Sequence, residues 1–250
     1  MACAKKTASV SVLEHAFCVE SEGHPVPAML WRPAGTGSCF PPLVLLGHGG
    51  SGHKRSDRIV DLAHWFVQKA RIAALAIDGP YHGDRLRQPL TAREYQARIA
   101  EEGAANVVER MKGDWRATID AVTELRVAAT DVLGFIGLSM GSRYGLPLAA
   151  ELGDRLRCAV FGKFGLEQSL SLPRALDTAD VTRRAADQVR ARTLFHVQWD
   201  DEVFPRKGQF ALFESLGSDD KRLIAYPGRH GETHPDAVSV WQEFVAAGLT

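Results

Sequence analysis

Six short apolar runs, separated by longer amphipathic stretches, constrain this chain more than any other feature of its sequence. Leu43–Leu46 in "PPLVLLGHGG" and Ile72–Ile77 in "RIAALAID" are the first two. "DVLGFIGLS", "LRCAVFGKF", "RTLFHVQWD" and "KRLIAYPG" supply the rest. Unbroken runs of four to eight apolar residues suit strands covered on both faces, as in a parallel sheet. The intervening stretches read as helices. "SDRIVDLAHWFVQKA" opens on a capping Ser56 and "DWRATIDAVTELRVAA" on Asp114; a third follows Ser139, a fourth runs from about Pro205 to Leu216, and the last from Pro235 to Ala247. "HAFCVES" and "VPAMLWRP" read as an antiparallel hairpin at the sheet edge. The expected fold is therefore α/β: a mostly parallel, twisted sheet of about eight strands with helices on both faces.

The 250 residues are expected to form one domain, with no internal repeat or linker. Two segments fall outside the alternation, 84–113 and 165–190, the latter holding Pro173. Both follow strand ends at the edge where open α/β sheets carry their sites, so they are expected to wall a pocket or form a small cap. Their modest, polar character speaks against an apolar interfacial lid.

Thirty basic residues balance thirty acidic ones. That balance offers no electrostatic footprint for nucleic acid or an anionic membrane, and basic clusters such as "RRAADQVRAR" read as a solvated helix face. No stretch approaches a membrane span, and "MACAKKTASVSVLEHAF" lacks the apolar core of a secretory signal. Cys3, Cys18, Cys39 and Cys158 are scattered without C-x-x-C spacing, so a cytoplasmic protein without a disulfide framework is expected. Oligomeric state is not legible.

Chemistry concentrates around "GLSMG", Gly137 to Gly141. G-x-S-x-G arises by chance in roughly one chain in ten of this length, so context decides. Here Ser139 follows the apolar strand "VLGFIGL" and precedes the helix "GSRYGLPLAAEL". A serine on such a sharp turn is lifted above the sheet edge, with small neighbours required on either side. Its hydroxyl is a weak nucleophile unless a base takes the proton. Downstream strand ends supply candidates: Asp200 and Asp201 in "VQWDDEVFP", His230 and His234 in "YPGRHGETHP". The order Ser, Asp, His is that of the nucleophile-elbow hydrolases.

With "LLGHGGSG", "DGPYHGDR", "GLSMG", "DDEVFP" and "GRHG" in this order over nearly the whole length, the chain resembles the α/β-hydrolases. It is most similar to their dienelactone hydrolase and acetyl esterase-like branch. The resemblance implies Asp201 as the acid, four residues before Pro205 as in D-x-x-V-P, although Phe204 stands where valine is common. Asp200 is the alternative, better suited to stabilising the loop. It implies His230 as the base, in Gly-x-His, with His234 better suited to a cap or surface role. His230 would deprotonate Ser139 and Asp201 would hold its tautomer. The oxyanion donors would be the backbone N–H groups of Met140 and, from the H-G-x turn, Gly50. His48 is read as a structural histidine bonded within its loop.

Asp78, His82 and Asp84, with His53 or His234, could suggest a metal, but the spacing matches no zinc signature. The segment is read instead as a turn with Pro80 and Tyr81 lining the pocket, and no metal or cofactor is expected. Phe164, Trp199 and Phe204 are read as core. Arg143, one turn into the nucleophile helix, is read as a surface or salt-bridged residue, the alternative being a contact to an anionic substrate.

The expected activity is hydrolysis of small to medium acyl esters or lactones through an acyl-enzyme on Ser139, with a small-molecule ester as partner. Dienelactone hydrolases proper use cysteine, so their substrate does not carry over. Peptidase or amidase, thioesterase and acyltransferase chemistry share the apparatus. A non-catalytic binding protein on the same scaffold and a metal hydrolase are the rivals.

Overall fold

Eight strands form one sheet in the order β1-β2-β4-β3-β5-β6-β7-β8 in a computed structural model that describes residues 10–35 and 40–250. Cys3 and Cys39 lie outside those residues. The strands are β1 (Val12–Ser21), β2 (His24–Pro33), β3 (Pro42–Gly47), β4 (Ala73–Ile77), β5 (Ala129–Gly137), β6 (Leu156–Gly162), β7 (Arg192–Gln198) and β8 (Lys221–Tyr226). β1 and β2 make the expected edge hairpin, joined antiparallel to β4; every other pairing is parallel. The helices are α1 (Asp57–Trp65), α2 (Ala92–Glu102), α3 (Ala104–Leu125), α4 (Met140–Leu152), α5 (Ala179–Gln188), α6 (Arg206–Ser215) and α7 (Pro235–Leu249).

The unbroken apolar runs explain the layering. In β3 and β4 the residues Val44, Leu46, Ala74 and Ala76 pack to one face, where α1 and α7 contribute Leu62 and Trp241. The alternate residues Leu43, Leu45, Ala73 and Leu75 pack to the other, with Trp115 of α3 and Tyr144 of α4. Period-two alternation thus feeds two cores from one strand, and each large side chain so buried contributes roughly 1.5–3 kcal/mol. β8 is the exception: as an edge strand it is only partly covered.

Two helix starts differ from expectation. Ser56 does sit at the N-cap of α1, but its hydroxyl donates to the His53 carbonyl instead of capping the helix. The helix expected to open on Asp114 begins ten residues earlier, at Ala104 after Gly103. Asp114 is fully buried within it, and its carboxylate takes Arg85 at 2.6 Å. A tertiary ion pair has overridden the residue's preference for a helix start. Segment 84–113 accordingly holds α2 and the first half of α3, while 165–190 holds a 3₁₀ turn at Arg174–Leu176 and α5.

Candidate active site

β5 ends at Gly137 and α4 begins at Met140, leaving Ser139 on a turn with φ 57° and ψ −117°. Few L-residues occupy that region, and holding one there costs on the order of 1–3 kcal/mol. The surroundings enforce it. The Ser139 amide donates to the Gly162 carbonyl at 2.9 Å, and Ser142 bonds the backbone of both Gly137 and Gly162. A Cβ on Gly137 would lie 2.6 Å from the Phe135 ring, and one on Gly141 2.6 Å from the Gly47 carbonyl. The small residues around the serine are therefore packing requirements of the bend.

The other two residues arrive on the loops after β7 and β8. Ser139 Oγ lies 2.9 Å from His230 Nε2, and His230 Nδ1 lies 2.8 Å from Asp201 Oδ2. Asp201 Oδ1 accepts the backbone N–H groups of Val203 and Phe204, both at 2.8 Å. An ionised carboxylate can only accept, so His230 Nδ1 must carry the proton facing it. Nε2 then presents its lone pair to Ser139, whose hydroxyl donates. The arrangement can take a proton from the hydroxyl as an attacking bond forms. The structure thus brings Ser139, Asp201 and His230 into one relay.

Met140 and Gly50 flank the same space as Ser139. Neither amide donates to a backbone acceptor among the described residues, so both are available to a developing negative charge. Gly50 also has no room for a side chain: a Cβ there would stand 2.5 Å from the Tyr95 hydroxyl.

No family model matches the chain, and no curated protein matches it. Solved structures do. A cold-adapted esterase from an Arctic intertidal metagenomic library, with polyethylene glycol bound, is 31% identical over 99% of both chains, with a TM-score of 0.81. The chain belongs to the α/β-hydrolase superfamily. Two more distant structures share the fold. A dienelactone hydrolase from Anabaena variabilis is 21% identical, covering 95% of this chain and 96% of that one, at a TM-score of 0.66. An acetyl xylan esterase from Paenibacillus sp. R4 is 19% identical, covering 99% and 87%, at 0.73.

The other candidate residues of this α/β-hydrolase make different contacts. Asp200 accepts the Gly228 amide at 3.2 Å, holding the β7 and β8 loops together. His234 accepts the Asp236 amide at the start of α7 and stacks on Tyr226. His48 is a loop residue: its Nδ1 lies 2.8 Å from the Gly49 carbonyl, and Nε2 accepts the Gly79 amide at 2.8 Å. Burial pushes its pKa down to about 4.

"DGPYHGDR" is knit internally. Asp78 accepts the Lys54 amide and ammonium at 2.9 and 2.7 Å and the Asp84 amide at 2.8 Å. The His82 ring nitrogens lie 2.7 and 2.9 Å from the Pro80 and Gly50 carbonyls. Those partners occupy the atoms a cation would need, and among the described residues no cluster of three metal-ligating side chains forms. The segment also corrects the expected pocket wall. Tyr81 bonds Glu102 at 2.5 Å, and neither it nor Pro80 lines the cavity; Tyr95 of α2 does.

That cavity, of about 490 Å³, opens over Ser139. Leu90 and Ile99 from one insert and Leu172 and Leu176 from the other form its apolar wall. Phe204 also lines it and packs edge-on against buried Phe164 at 4.8 Å. Trp199, expected in the core, is 44% exposed, with the Arg206 guanidinium 4.3 Å from its ring centroid. Arg143 departs furthest from expectation: it is 8% exposed and faces the cavity. Two further cations, Arg58 and Lys163, share the lining and were missed in the sequence. Lys163 follows β6 directly, at the strand-end position that yields site residues, and burial beside Arg58 pulls its pKa down to about 8. Tyr95 carried no signal, because only the fold brings α2 over the glycine loop.

Proposed function

We propose that this hydrolase cleaves carboxylic esters of small to medium acyl groups, or lactones, through an acyl-enzyme on Ser139. The observation that carries the reading is the unbroken relay from Asp201 through His230 to a serine held at a strained bend. His230 withdraws the hydroxyl proton as Ser139 attacks the carbonyl carbon. The Met140 and Gly50 amides receive the oxyanion, and collapse expels the alcohol, to which His230 returns the proton. Water, deprotonated by the same imidazole, then releases the acid. The esterase nature of the 31%-identical structure supports esters over amides. The two inserts act as a small cap that sets acyl size.

No helix among the described residues is long and apolar enough to cross a membrane. A cytoplasmic setting is proposed from the cysteine spacing; Cys18 and Cys158 are free thiols.

Fluorophosphonate labelling with p-nitrophenyl esters of graded chain length tests the reading. An adduct on Ser139 and turnover that survives exhaustive chelation are expected. Absence of both adduct and turnover would leave a binding protein on a hydrolase scaffold. Amide, thioester and acyl-transfer assays alongside rank the chemistries that share the apparatus.

A further inference from the structure

The charged side chains that line the cavity above Ser139 include three cations. Arg58, Arg143 and Lys163 line it, and among the described residues no aspartate or glutamate does. Two of these cations are already engaged. Lys163 Nζ donates to the Glu232 carbonyl at 2.5 Å, and Arg58 donates to Thr233 Oγ1 at 3.0 Å. Arg143 is not. Its buried Nε has no hydrogen-bond partner among the described residues, and its guanidinium lies over the Phe164 ring at 5.5 Å. Six other arginines of the described chain have a carboxylate partner, whereas Arg143 has none.

A buried guanidinium costs free energy unless it is paired, and the face of one phenyl ring replaces only part of its hydration. Its planar fork of donors matches a carboxylate in two parallel hydrogen bonds. The residue sits one helical turn beyond the nucleophile, and its amide donates to the Ser139 carbonyl at 3.1 Å. Arg143 and Ser139 line the same cavity, so an anion held by the guanidinium shares that space with the carbon under attack.

From this geometry we infer that the substrate is an ester bearing a second, ionised carboxylate, which Arg143 grips while Ser139 attacks the ester carbonyl. The inference rests on the proposed hydrolase reading and narrows its substrate class. The carboxylate can belong to the acyl part, as in a hemiester of a short dicarboxylic acid, or to the alcohol part, as in an acylated hydroxy acid. Attack, acyl-enzyme formation and hydrolysis are unchanged by it; the carboxylate is bound and released intact. The Phe164 ring supports the guanidinium, and Arg58 and Lys163 raise the local potential that draws the anion in.

The test is a ratio of kcat/KM values, so that any misfolded fraction cancels. One arm compares mono-p-nitrophenyl glutarate with p-nitrophenyl valerate. The other compares 4-acetoxybenzoate with its methyl ester. In one arm the wild-type enzyme should prefer the anionic partner by tenfold or more, with the preference shrinking as salt is raised. Arg143→Met should cut that ratio roughly 10- to 100-fold, the range for a lost charge-assisted bond, and Arg143→Lys should keep part of it. Glutarate itself, titrated calorimetrically, should bind wild type and not Arg143→Met. Neutral esters cleaved with no anionic preference in either arm, or a ratio that Arg143→Met leaves in place, would overturn the inference while sparing the hydrolase reading. No turnover of any ester and no fluorophosphonate adduct would remove the hydrolase reading itself, and the glutarate titration would still report on the anion site.

Discussion

Replacing Asp201 by asparagine isolates a single atom's role. Three N–H donors converge on this carboxylate: Val203 and Phe204 on Oδ1, and His230 Nδ1 on Oδ2. An asparagine has one oxygen, and the two backbone amides require it at the Oδ1 position. Its NH₂ group then faces His230, where only a bare Nδ1 can accept. The imidazole proton must move to Nε2 and point at Ser139 Oγ, which removes the base without moving the ring. A tautomer error of this kind costs about 10⁴ in kcat, or roughly 5.5 kcal/mol of barrier at about 1.4 kcal/mol per decade. The fold should barely notice, because both backbone bonds survive. The assay is kcat/KM on p-nitrophenyl acetate with a thermal melt of the same preparation. Asp200→Asn is the control and should stay within about threefold, since that side chain only holds the Gly228 amide. A loss below tenfold in a well-folded Asp201→Asn protein would refute the assignment of the acid.

His230→Ala should remove most activity and fluorophosphonate labelling, whereas His234→Ala, lost from a helix cap, should leave turnover near wild type and lower stability by about 1 kcal/mol. Gly50→Ala should depress kcat by forcing the new methyl against the Tyr95 hydroxyl. Adding Tyr95→Phe should restore part of it, because the next Tyr95 atom is 3.5 Å away; additive losses would deny the contact. Buried His48 and His196 both titrate near pH 4, their charged forms disfavoured chiefly by desolvation. Below pH 6.5 the unfolded chain therefore binds more protons than the native one, and stability falls as pH drops from 6.5 towards 4 by roughly 3 kcal/mol for each ring. Denaturant titrations across that range check it, and a flat profile would mean the rings charge freely in the fold.

Strand and helix order were legible because the apolar runs are unbroken and the two cores demand alternate residues from each strand. The relay was legible for a related reason: each member sits at most a few residues beyond a strand end, so the sheet carries it to a common edge. Asp200, His234 and His48 also fell where local loop chemistry placed them. What escaped depends on contacts distant in sequence. Asp114 resembles a helix start until Arg85, on another segment, buries it. Arg143 resembles any surface arginine until α4 is packed under the inserts. Trp199 has a core residue's bulk, yet its loop leaves it beside Arg206, outside both cores.

The left-handed bend at Ser139 has one more implication. Glycine would occupy that φ without strain, so Ser139→Gly would rank among the more thermostable sequences for this backbone while lacking any nucleophile. Directed evolution for heat resistance alone would drift towards discarding the reactive atom, and only a screen that scores turnover beside melting can keep it.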